Sequence, residues 1–326
     1  METSLQREQK LHESRKSMYE TTEIYRRTYI NEETGLIKSE LIENRDCPCC
    51  GKDMKSILFT KNGGRYVKCN NCGMIYLDPV FKDNKLVDYY KKNNTEQSSA
   101  HENEYEFYKN IYSQGLVEII KHCKNGKLLD VGCSSGLFLD LCREKGYKTY
   151  GIELNESELN ITRHKEHKAW GKPIQQLELD EQFDVISMWD VFEHIKDGNQ
   201  YLEYLNKLLK PEGIIFLQIP SSNSLAARIL REKCNMFDGI EHVNLYGTST
   251  IKRVAKNAGF TIVSMISVID ELGPIGNYLS YEDPYQGKFQ EGELGEILSK
   301  QAVLDQLLGY KLQIILKPEQ NREKKS

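Results

Sequence analysis

Four cysteines in the first quarter of the chain have the spacing of a metal site. They form two Cys-x-x-Cys pairs separated by 18 residues, each followed by glycine: Cys47 and Cys50 before Gly51, and Cys69 and Cys72 before Gly73. Glycine lets the backbone turn so that N–H groups can point at the sulfur atoms. Four thiolates in two such turns form a closed tetrahedral Zn²⁺ site without an open position for a substrate. The spacing therefore predicts a zinc ribbon with a structural metal, to which Cys49 is not expected to bind.

A second candidate site is the stretch from Lys127 to Phe138, KLLDVGCSSGLF. Its apolar first half predicts a buried strand with Asp130 at the carboxyl end, and Gly132 and Gly136 predict a turn before a helix. Glycines leave room for a ligand against the backbone, and the helix N-terminus offers N–H groups. Open parallel α/β sheets bind ligands at such junctions. The glycine spacing fits neither the dinucleotide fingerprint nor a P-loop.

An acid follows at the end of the next predicted strand. Glu153, in the stretch YGIELN, lies 23 residues after Asp130. This separation is expected where a carboxylate at the second strand end binds both hydroxyls of a ribose. A single acid at a strand end is commonly a solvated loop charge. Strand, glycine turn, helix and spaced acid together favour binding of a nucleotide-like cofactor.

These residues resemble motif I, usually D-x-G-x-G-x-G, and the ribose acid of class I S-adenosylmethionine-dependent methyltransferases. The resemblance covers roughly residues 46 to 318. It implies that S-adenosylmethionine is the cofactor and that it is bound by Asp130, Gly132, Cys133, Ser134, Gly136, Glu153, Leu154 and Asp190. Cys133 is expected to pack beside the cofactor without a covalent role.

The chain departs from the family pattern at two places. Ser134 replaces the middle glycine of motif I, which narrows the room under the cofactor. After Trp170, where many relatives have an acid that meets the adenine amino group, the sequence is GKPIQQ. Gln175 or backbone groups are therefore the candidates for that contact.

Two further segments contain candidates for the transfer chemistry, in which a methyl group leaves a sulfonium and the acceptor loses a proton. The segment DVFEHI, from Asp190, matches a D-x-x-E-H pattern of these methyltransferases, and His194 is its candidate base; its alternative role is packing or capping. The segment IEHVNLYG resembles the E-H-x-x-x-Y/F stretch of zinc-containing sugar C-methyltransferases, in which the histidine is the base. We therefore expect His242 to be the general base and Glu241 to orient it.

The elements that must position these residues alternate between strands and helices, which predicts a doubly wound, seven-stranded, Rossmann-like methyltransferase sheet with accessory helices. Strands are expected at 128–131, up to Glu153, at 183–188, 213–220, from Phe260 and at 309–318, with a turn at 210–213 and a helix at 248–258. The predicted segments are an N-terminal helical segment (1–45), the zinc ribbon (46–80), linking helices over the cofactor site (81–122), the methyltransferase domain (123–318) and a disordered tail (319–326).

Composition limits the class of protein. The chain has 326 residues, of which 39% are hydrophobic and 28% charged, as in globular proteins. Without a long apolar run, and with the charged start METSLQREQKLHESRK, neither a membrane span nor a secretory signal is expected. We therefore expect a cytoplasmic protein. The net charge of −4 gives no general attraction to nucleic acid.

The sequence thus predicts a methyltransferase whose partner is a small-molecule acceptor, such as a sugar, a nucleotide-sugar or a natural-product intermediate. A second copy of the chain is a further candidate partner, through the surface helices of residues 1–45. Two alternatives stay open at this stage. One is an RNA methyltransferase that holds its substrate with the ribbon, and the other is a non-catalytic scaffold that binds the cofactor.

Overall fold

The computed structural model describes residues 6, 9, 26–83, 85, 86, 104–288 and 292–319. The chain divides into two compact units: the first contains Met1–Glu104, Pro220–Thr248 and Ile266–Leu312, and the second contains Tyr105–Ile219, Ser249–Met265 and Gln313–Ser326. Most of the predicted N-terminal helical segment, much of the predicted linking region and the predicted tail beyond residue 319 lie outside the described residues. The division of the chain into the five segments named above stays a prediction.

Strands and helices are numbered here in chain order over the described residues. The strands are β1 (Ile42–Glu43), β2 (Lys55–Lys61), β3 (Gly64–Cys69), β4 (Ile75–Leu77), β5 (Val80–Phe81), β6 (Gly126–Val131), β7 (Tyr147–Ile152), β8 (Lys168–Trp170), β9 (Phe183–Trp189), β10 (Leu209–Pro220), β11 (Asn244–Leu245), β12 (Phe260–Val268) and β13 (Lys311–Pro318). The α-helices are α1 (Tyr105–His122), α2 (Leu137–Glu144), α3 (Glu156–His164), α4 (Gly198–Leu208), α5 (Leu225–Leu230), α6 (Thr248–Asn257), α7 (Leu272–Asn277), α8 (Gly292–Ile297) and α9 (Lys300–Asp305).

The second unit is built on a seven-stranded sheet with the order β12-β13-β10-β9-β6-β7-β8. From β10 to β8, neighbouring strands run parallel. Strand β6 is central, and its run of Leu128, Leu129, Asp130 and Val131 is buried because helices cover both faces of such sheets. Asp130 lies opposite Gly151 of β7 and Ser187 of β9. The predicted Rossmann-like sheet is confirmed.

Most of the predicted elements of this sheet are observed, with two differences. The turn expected at 210–213 lies within β10, whose pairing with β9 shifts between Leu209 and Ile214. Pro211 has no N–H to donate, so the strand bulges there instead of ending. Strand β8, which the sequence analysis did not locate, is only three residues long.

The first unit contains an antiparallel sheet of four strands in the order β11-β4-β3-β2. Strands β2 and β3 form a hairpin, whose turn residues Asn62 and Gly63 have φ angles of 49° and 80°. Two positive φ angles give the turn a twist that matches paired strands. The fourth strand, β11, comes from the segment IEHVNLYG, where no strand was predicted from the sequence. Its residues Asn244 and Leu245 pair with Tyr76 and Ile75 of β4.

Candidate functional site

The loop after β6, Asp130–Gly136, is called the motif loop below. Gly132, Ser134 and Gly136 have φ angles of 79°, 48° and 80°, the left-handed region that favours glycine. A Cβ atom on Gly132 would lie 2.6 Å from Cγ2 of Val191. Motif I of the family has glycine at the position of Ser134. The serine adopts the same left-handed backbone conformation, which is unfavourable for a residue with a side chain. The loop therefore has a fixed and partly strained shape.

Asp130 is buried at the start of the motif loop, with only 2% of its surface exposed. The hydroxyl of Ser187 donates a hydrogen bond to its Oδ1 over 2.7 Å. Burial raises the pKa of Asp130 to about 8, against the effect of the Ser187 hydrogen bond, and the charge of Glu153 raises it further. The Asp130 carboxyl is therefore a group whose protonation can change near neutral pH.

Glu153 connects the ends of two strands through backbone hydrogen bonds. Its Oε2 accepts from the N–H of Ser134 over 2.8 Å, and its Oε1 accepts from the N–H of Asn155 over 2.8 Å. Burial raises the pKa of Glu153, while these N–H donors lower it. The neighbouring Leu154 is 58% exposed, which offers an apolar surface beside the carboxylate. A ligand with hydroxyl groups beside an apolar ring would fit the Glu153 carboxylate and the Leu154 side chain.

Glu158, on α3, is a residue that the sequence analysis missed. It is 1% exposed, and its Oε1 has no hydrogen-bond partner among the described residues. Burial raises its pKa to about 7, the charge of Glu153 adds to this, and the Ser134 side chain opposes it. A buried oxygen without a partner costs about 1–3 kcal/mol. The helical spacing with buried Leu159 and Thr162 was the sequence signal that could have identified it.

The other predicted cofactor residues have distinct surroundings. Asp190 follows β9 with a φ of 54°, donates its N–H to the Gln218 carbonyl over 2.9 Å and accepts at Oδ2 from the Gln218 side chain over 3.1 Å. Cys133 is buried, and burial raises the pKa of its thiol, which agrees with a packing role. Gln175 is exposed on the short turn Ile174–Gln176. His194 ends the short turn Phe192–His194.

The predicted metal ligands, all in the first unit, lie together. The four sulfur atoms of Cys47, Cys50, Cys69 and Cys72 are all within 4.8 Å of one another, with distances of 3.5 Å and 3.6 Å for two of the pairs. Zn–S bonds of about 2.3 Å in a tetrahedron place sulfur atoms about 3.8 Å apart. The four cysteines are free thiols. The cluster therefore has the ligand set and the size for a zinc ion.

Glycine turns hold both cysteine pairs. Gly51 and Gly73 have φ angles of 68° and 79°. Their N–H groups donate to the carbonyl oxygens of Cys47 and Cys69 over 2.8 Å and 2.9 Å. Each turn brings its second cysteine back toward the first, which is the reason that glycine follows each pair.

The stretch Asp238–Tyr246, called the histidine segment below, lies in the first unit and is organised by a single carboxylate. Oδ1 of Asp238 accepts from the N–H groups of Ile240, Glu241 and His242 over 3.0 Å, 3.1 Å and 3.2 Å. The hydroxyl of Tyr66, on β3, lies 3.4 Å from the same oxygen. Asp238 is the main organiser of this segment, and the sequence analysis did not identify it.

The ring of His242 is oriented by a backbone group. Its Nδ1 lies 2.7 Å from the carbonyl oxygen of Met236. A carbonyl only accepts hydrogen bonds, so Nδ1 carries the proton and the lone pair of the neutral ring is on Nε2. Burial raises the pKa of Glu241 to about 8, with a further contribution from the charge of Asp238. The orienting role expected of Glu241 stays a prediction.

Arg45 links the histidine segment to the strand that follows the cysteine pairs. It is half-buried, and its guanidinium donates to the carbonyls of Leu77 and Val243 and to the side chain of Asn244 over 2.9 Å, 2.6 Å and 2.9 Å. Burial lowers its pKa to about 10. Together with the pairing of β11 and β4, these bonds make the histidine segment part of the cysteine-containing sheet.

The fold and motif loop define an α/β protein of the Rossmann-like methyltransferase type. A family model described as a methyltransferase domain matches residues 77–265, more than half of the chain. The chain belongs to this methyltransferase family, and the sequence resemblance is confirmed. In the described part of the chain, no helix combines the length and the apolar character needed to cross a bilayer.

Relatives of known sequence include the ubiquinone biosynthesis O-methyltransferases of Acinetobacter baylyi, 27% identical over 106 residues, and Pseudomonas aeruginosa, 28% identical over 108 residues. These matches cover 30% and 31% of this chain and 44% and 47% of the relatives, so the chain spans less than half the length of the curated relatives it matches. A chain from the complex between the Haloferax volcanii Trm112 methyltransferase activator and a methyltransferase has a TM-score of 0.51 and 14% identity, over 70% of this chain and 96% of that chain. This likeness shows the fold.

Proposed function

We propose that the protein is an S-adenosylmethionine-dependent methyltransferase that acts on a small molecule, such as a sugar, a nucleotide-sugar or a natural-product intermediate. Membership of the methyltransferase family and the strand order support the reaction class. The observation that carries the proposal is the left-handed motif loop, whose Ser134 N–H donates to the Glu153 carboxylate at the carboxyl ends of β6 and β7. Open parallel sheets bind their ligands at that edge.

The residues fit the cofactor. Each carboxylate oxygen of Glu153 accepts one backbone N–H and keeps a second lone pair, which suits two ribose hydroxyls. The exposed side chain of Leu154 suits the adenine ring, and the glycines of the motif loop leave room for the methionine part. Asp130, Cys133 and Asp190 complete the proposed set. Bound S-adenosylmethionine would supply a methyl group that is already activated on a sulfonium.

We propose His242 as the general base for an acceptor that must lose a proton. Its Nδ1–H donates to Met236, so that Nε2 has the lone pair that a base requires. Asp238 fixes the backbone of the histidine segment, which keeps the ring in one orientation. Glu241 as an orienting group and His194 as a second candidate base belong to the same proposal.

The cysteine cluster is proposed to hold a structural zinc ion. Its support is the four-sulfur ligand set, the sulfur distances and the glycine turns. A closed set of four thiolates leaves no position for a substrate, so the metal would stabilise the sheet and would not take part in the chemistry.

The acceptor is proposed to be a small molecule because the net charge of −4 offers no general attraction to RNA. The relatives are named as O-methyltransferases of ubiquinone biosynthesis, the synthesis of a small molecule, but the similarity to the first of them spans only 106 residues. It therefore supports the class of acceptor and not its identity. A second copy of the chain stays the other proposed partner.

Titration calorimetry with S-adenosylmethionine and with its demethylated product, S-adenosylhomocysteine, tests the proposal. We expect the wild-type chain to bind both, and Glu153→Ala to weaken binding about a hundredfold because acceptors for two ribose hydroxyls are lost. Glu156→Ala is the matched control, since Glu156 is an exposed acid three residues further along. Absence of binding by the wild-type chain at millimolar ligand would overturn the proposed function.

A further inference from the structure

Two glutamines interrupt the apolar runs of neighbouring strands in the seven-stranded sheet. Gln218 lies on β10 and Gln313 on β13, each between two apolar residues. Both are buried, with 2% and 1% of their surfaces exposed. Burying an amide is unfavourable unless its polar atoms find hydrogen-bond partners. Two amides at such positions therefore need an explanation beyond packing.

The two side chains form a chain of hydrogen bonds that ends on Asp190. Nε2 of Gln313 donates to Oε1 of Gln218 over 3.0 Å, and Nε2 of Gln218 donates to Oδ2 of Asp190 over 3.1 Å. The carbonyl of Gln218 also accepts from the N–H of Asp190 over 2.9 Å. Asp190 is thus held at its main chain and at its side chain by one residue, in a left-handed conformation with a φ of 54° that residues with a side chain avoid.

The outer amide determines which way the inner amide faces. An amide side chain has an accepting end and a donating end, and a carboxylate attracts only the donating end. Because the N–H of Gln313 occupies the oxygen of Gln218, the amino group of Gln218 faces Asp190. The oxygen of Gln313 has no hydrogen-bond partner within the described part of the chain, which is unfavourable for a buried group. A methionine would fill similar space without that cost.

The hydrogen-bond chain runs toward the motif loop. Strand β9, which Asp190 follows, lies between β10 and β6 in the sheet, and the motif loop follows β6. The next residue, Val191, has its Cγ2 only 2.6 Å from the position that a Cβ atom on Gly132 would occupy. Asp190 therefore lies next to the loop that is proposed to hold the methionine part of the cofactor. A carboxylate in a fixed orientation suits the positively charged amino group of that part.

We infer that Gln218 and Gln313 are positioning residues of the cofactor site, which hold the carboxylate of Asp190 in the orientation that binds the amino group of the methionine part. The inference rests on the proposed function, because this orientation matters only if the cofactor binds beside the motif loop. Gln218 supplies the hydrogen bond to the carboxylate. Gln313 fixes the direction of the Gln218 amide.

The double variant Gln218→Met/Gln313→Met tests the inference, with S-adenosylhomocysteine as the probe in titration calorimetry and thermal unfolding measured in parallel. We expect the dissociation constant to rise about tenfold, because the hydrogen bond that orients a charged group is lost. The melting temperature should stay equal or rise, because both partners of a buried hydrogen bond are replaced by apolar groups of similar size.

Two single variants refine this test. Gln313→Met should raise the dissociation constant about threefold, since Gln218 keeps its amino group but loses the bond that fixes its direction. Leu217→Met is the matched control, because Leu217 is buried beside Gln218 but points to the opposite face of the strand. It should bind the probe as wild type does.

A further variant shows whether the effect passes through Asp190. Asp190→Ala removes the carboxylate, so the two amides no longer orient a binding group. In that background, the double methionine change should alter the dissociation constant by less than about twofold.

Three results would overturn the inference: wild-type affinity in the double methionine variant, a loss of affinity that accompanies a lower melting temperature, or a full additional loss in the Asp190→Ala background. A wild-type chain that does not bind the probe would instead overturn the proposed function, and the inference with it. Binding by the wild type together with unchanged binding by the double variant would overturn the role of the two glutamines alone.

Discussion

The motif loop and the histidine segment are both organised by one carboxylate that accepts several backbone N–H groups, but the two carboxylates are used differently. Asp238 accepts at one oxygen from three successive residues, Ile240 to His242, and Arg26 lies 3.9 Å from its other oxygen. Glu153 accepts one N–H at each oxygen, from Ser134 and from Asn155, which belong to different strand ends. Most acceptor sites of the Asp238 carboxylate are occupied by N–H groups of its own segment. Each oxygen of Glu153, in contrast, keeps a lone pair that is available to a ligand.

A carboxylate at a turn is a candidate binding group only when its acceptor sites are not all occupied by nearby backbone N–H groups. Hydrogen bonds to a charged acceptor contribute about 1.5–3 kcal/mol each. The bonds of Asp238 therefore stabilise the segment that carries His242, while those of Glu153 leave one acceptor lone pair on each oxygen. The histidine segment and the motif loop should therefore respond differently to substitution, to metal removal and to pH.

The largest expected effect concerns the metal, on which only one of the two regions should depend. Removal of zinc by a chelator, or Cys69→Ser, should unfold the cysteine-containing sheet, because metal binding supplies about 10 kcal/mol or more to such sites. Since β11 pairs with β4, hydrogen exchange should become fast at residues 240–246. Hydrogen-exchange mass spectrometry and elemental analysis, with about one zinc per chain expected, provide the measurements.

Cys49→Ala is the matched control for this experiment, since Cys49 lies inside the first cysteine pair but outside the sulfur cluster. It should retain the metal and the slow exchange. A metal-free chain with unchanged exchange at 240–246 would show that the histidine segment does not depend on the cluster.

The second prediction separates the role of His242 in the methyl transfer from the binding of the cofactor. His242→Gln should lower the turnover number by about 10²–10⁴, the usual contribution of a general base, and leave the affinity for S-adenosylhomocysteine unchanged. Single-turnover rates with an acceptor that the wild-type chain methylates give the first value, and calorimetry gives the second. His164→Gln removes an exposed histidine and should change neither. Unchanged turnover in His242→Gln would exclude His242 as the base.

Sequence patterns predicted the parts of the fold that have a clear period or fixed spacing. The apolar runs of β6, β9 and β10 and the two cysteine pairs are local signals, and the structure contains each of them. Strand β8 was missed because its three residues, Lys168 to Trp170, are too few to show alternation. Strand β11 was missed because it exists only through its pairing with β4, more than 160 residues earlier in the chain.

The candidate sites show the same contrast between residues with a fixed sequence spacing and residues placed by tertiary contacts. Glu153 was predictable because strand ends fix its distance from Asp130 along the chain. Asp238 and Glu158 were not, because the N–H groups around Asp238 and the burial of Glu158 depend on which segments the fold brings to them. The tautomer of His242 depends in the same way on Met236, six residues away in the sequence. Contacts of this kind have no fixed spacing.

Replacing each of the two carboxylates by its amide should separate an effect on stability from an effect on cofactor binding. Asp238→Asn should lower the free energy of unfolding by about 3 kcal/mol, because three N–H donors lose a charged acceptor, with little change in cofactor affinity. Glu153→Gln should do the reverse, with weaker cofactor binding and a smaller loss of stability. Denaturant unfolding and calorimetry on both variants measure the two quantities. Equal patterns in the two variants would remove the distinction between them.

The smallest expected effect is a pH dependence that belongs to the motif loop. The folded pKa of Asp130 is raised to about 8, above the ordinary value of 3.8, because the carboxyl is buried. The folded state therefore favours the protonated form, and the stability linked to this group is present below pH 4 and is lost as the pH rises toward 8. Asp130→Asn has no such group. Its free energy of unfolding should exceed that of wild type by about 2 kcal/mol more at pH 7 than at pH 5.5.

Urea unfolding at both pH values measures this difference, and Asp180→Asn, at an exposed position, should follow wild type throughout. Glu153, Glu158 and Glu241 also have raised pKa values, so wild type alone would not isolate Asp130. The difference between wild type and Asp130→Asn does isolate it, because the other three groups titrate in both chains. A difference that stays constant with pH would mean that Asp130 is charged in the folded protein at pH 5.5, so that the burial of its carboxyl is compensated by more than the hydroxyl of Ser187.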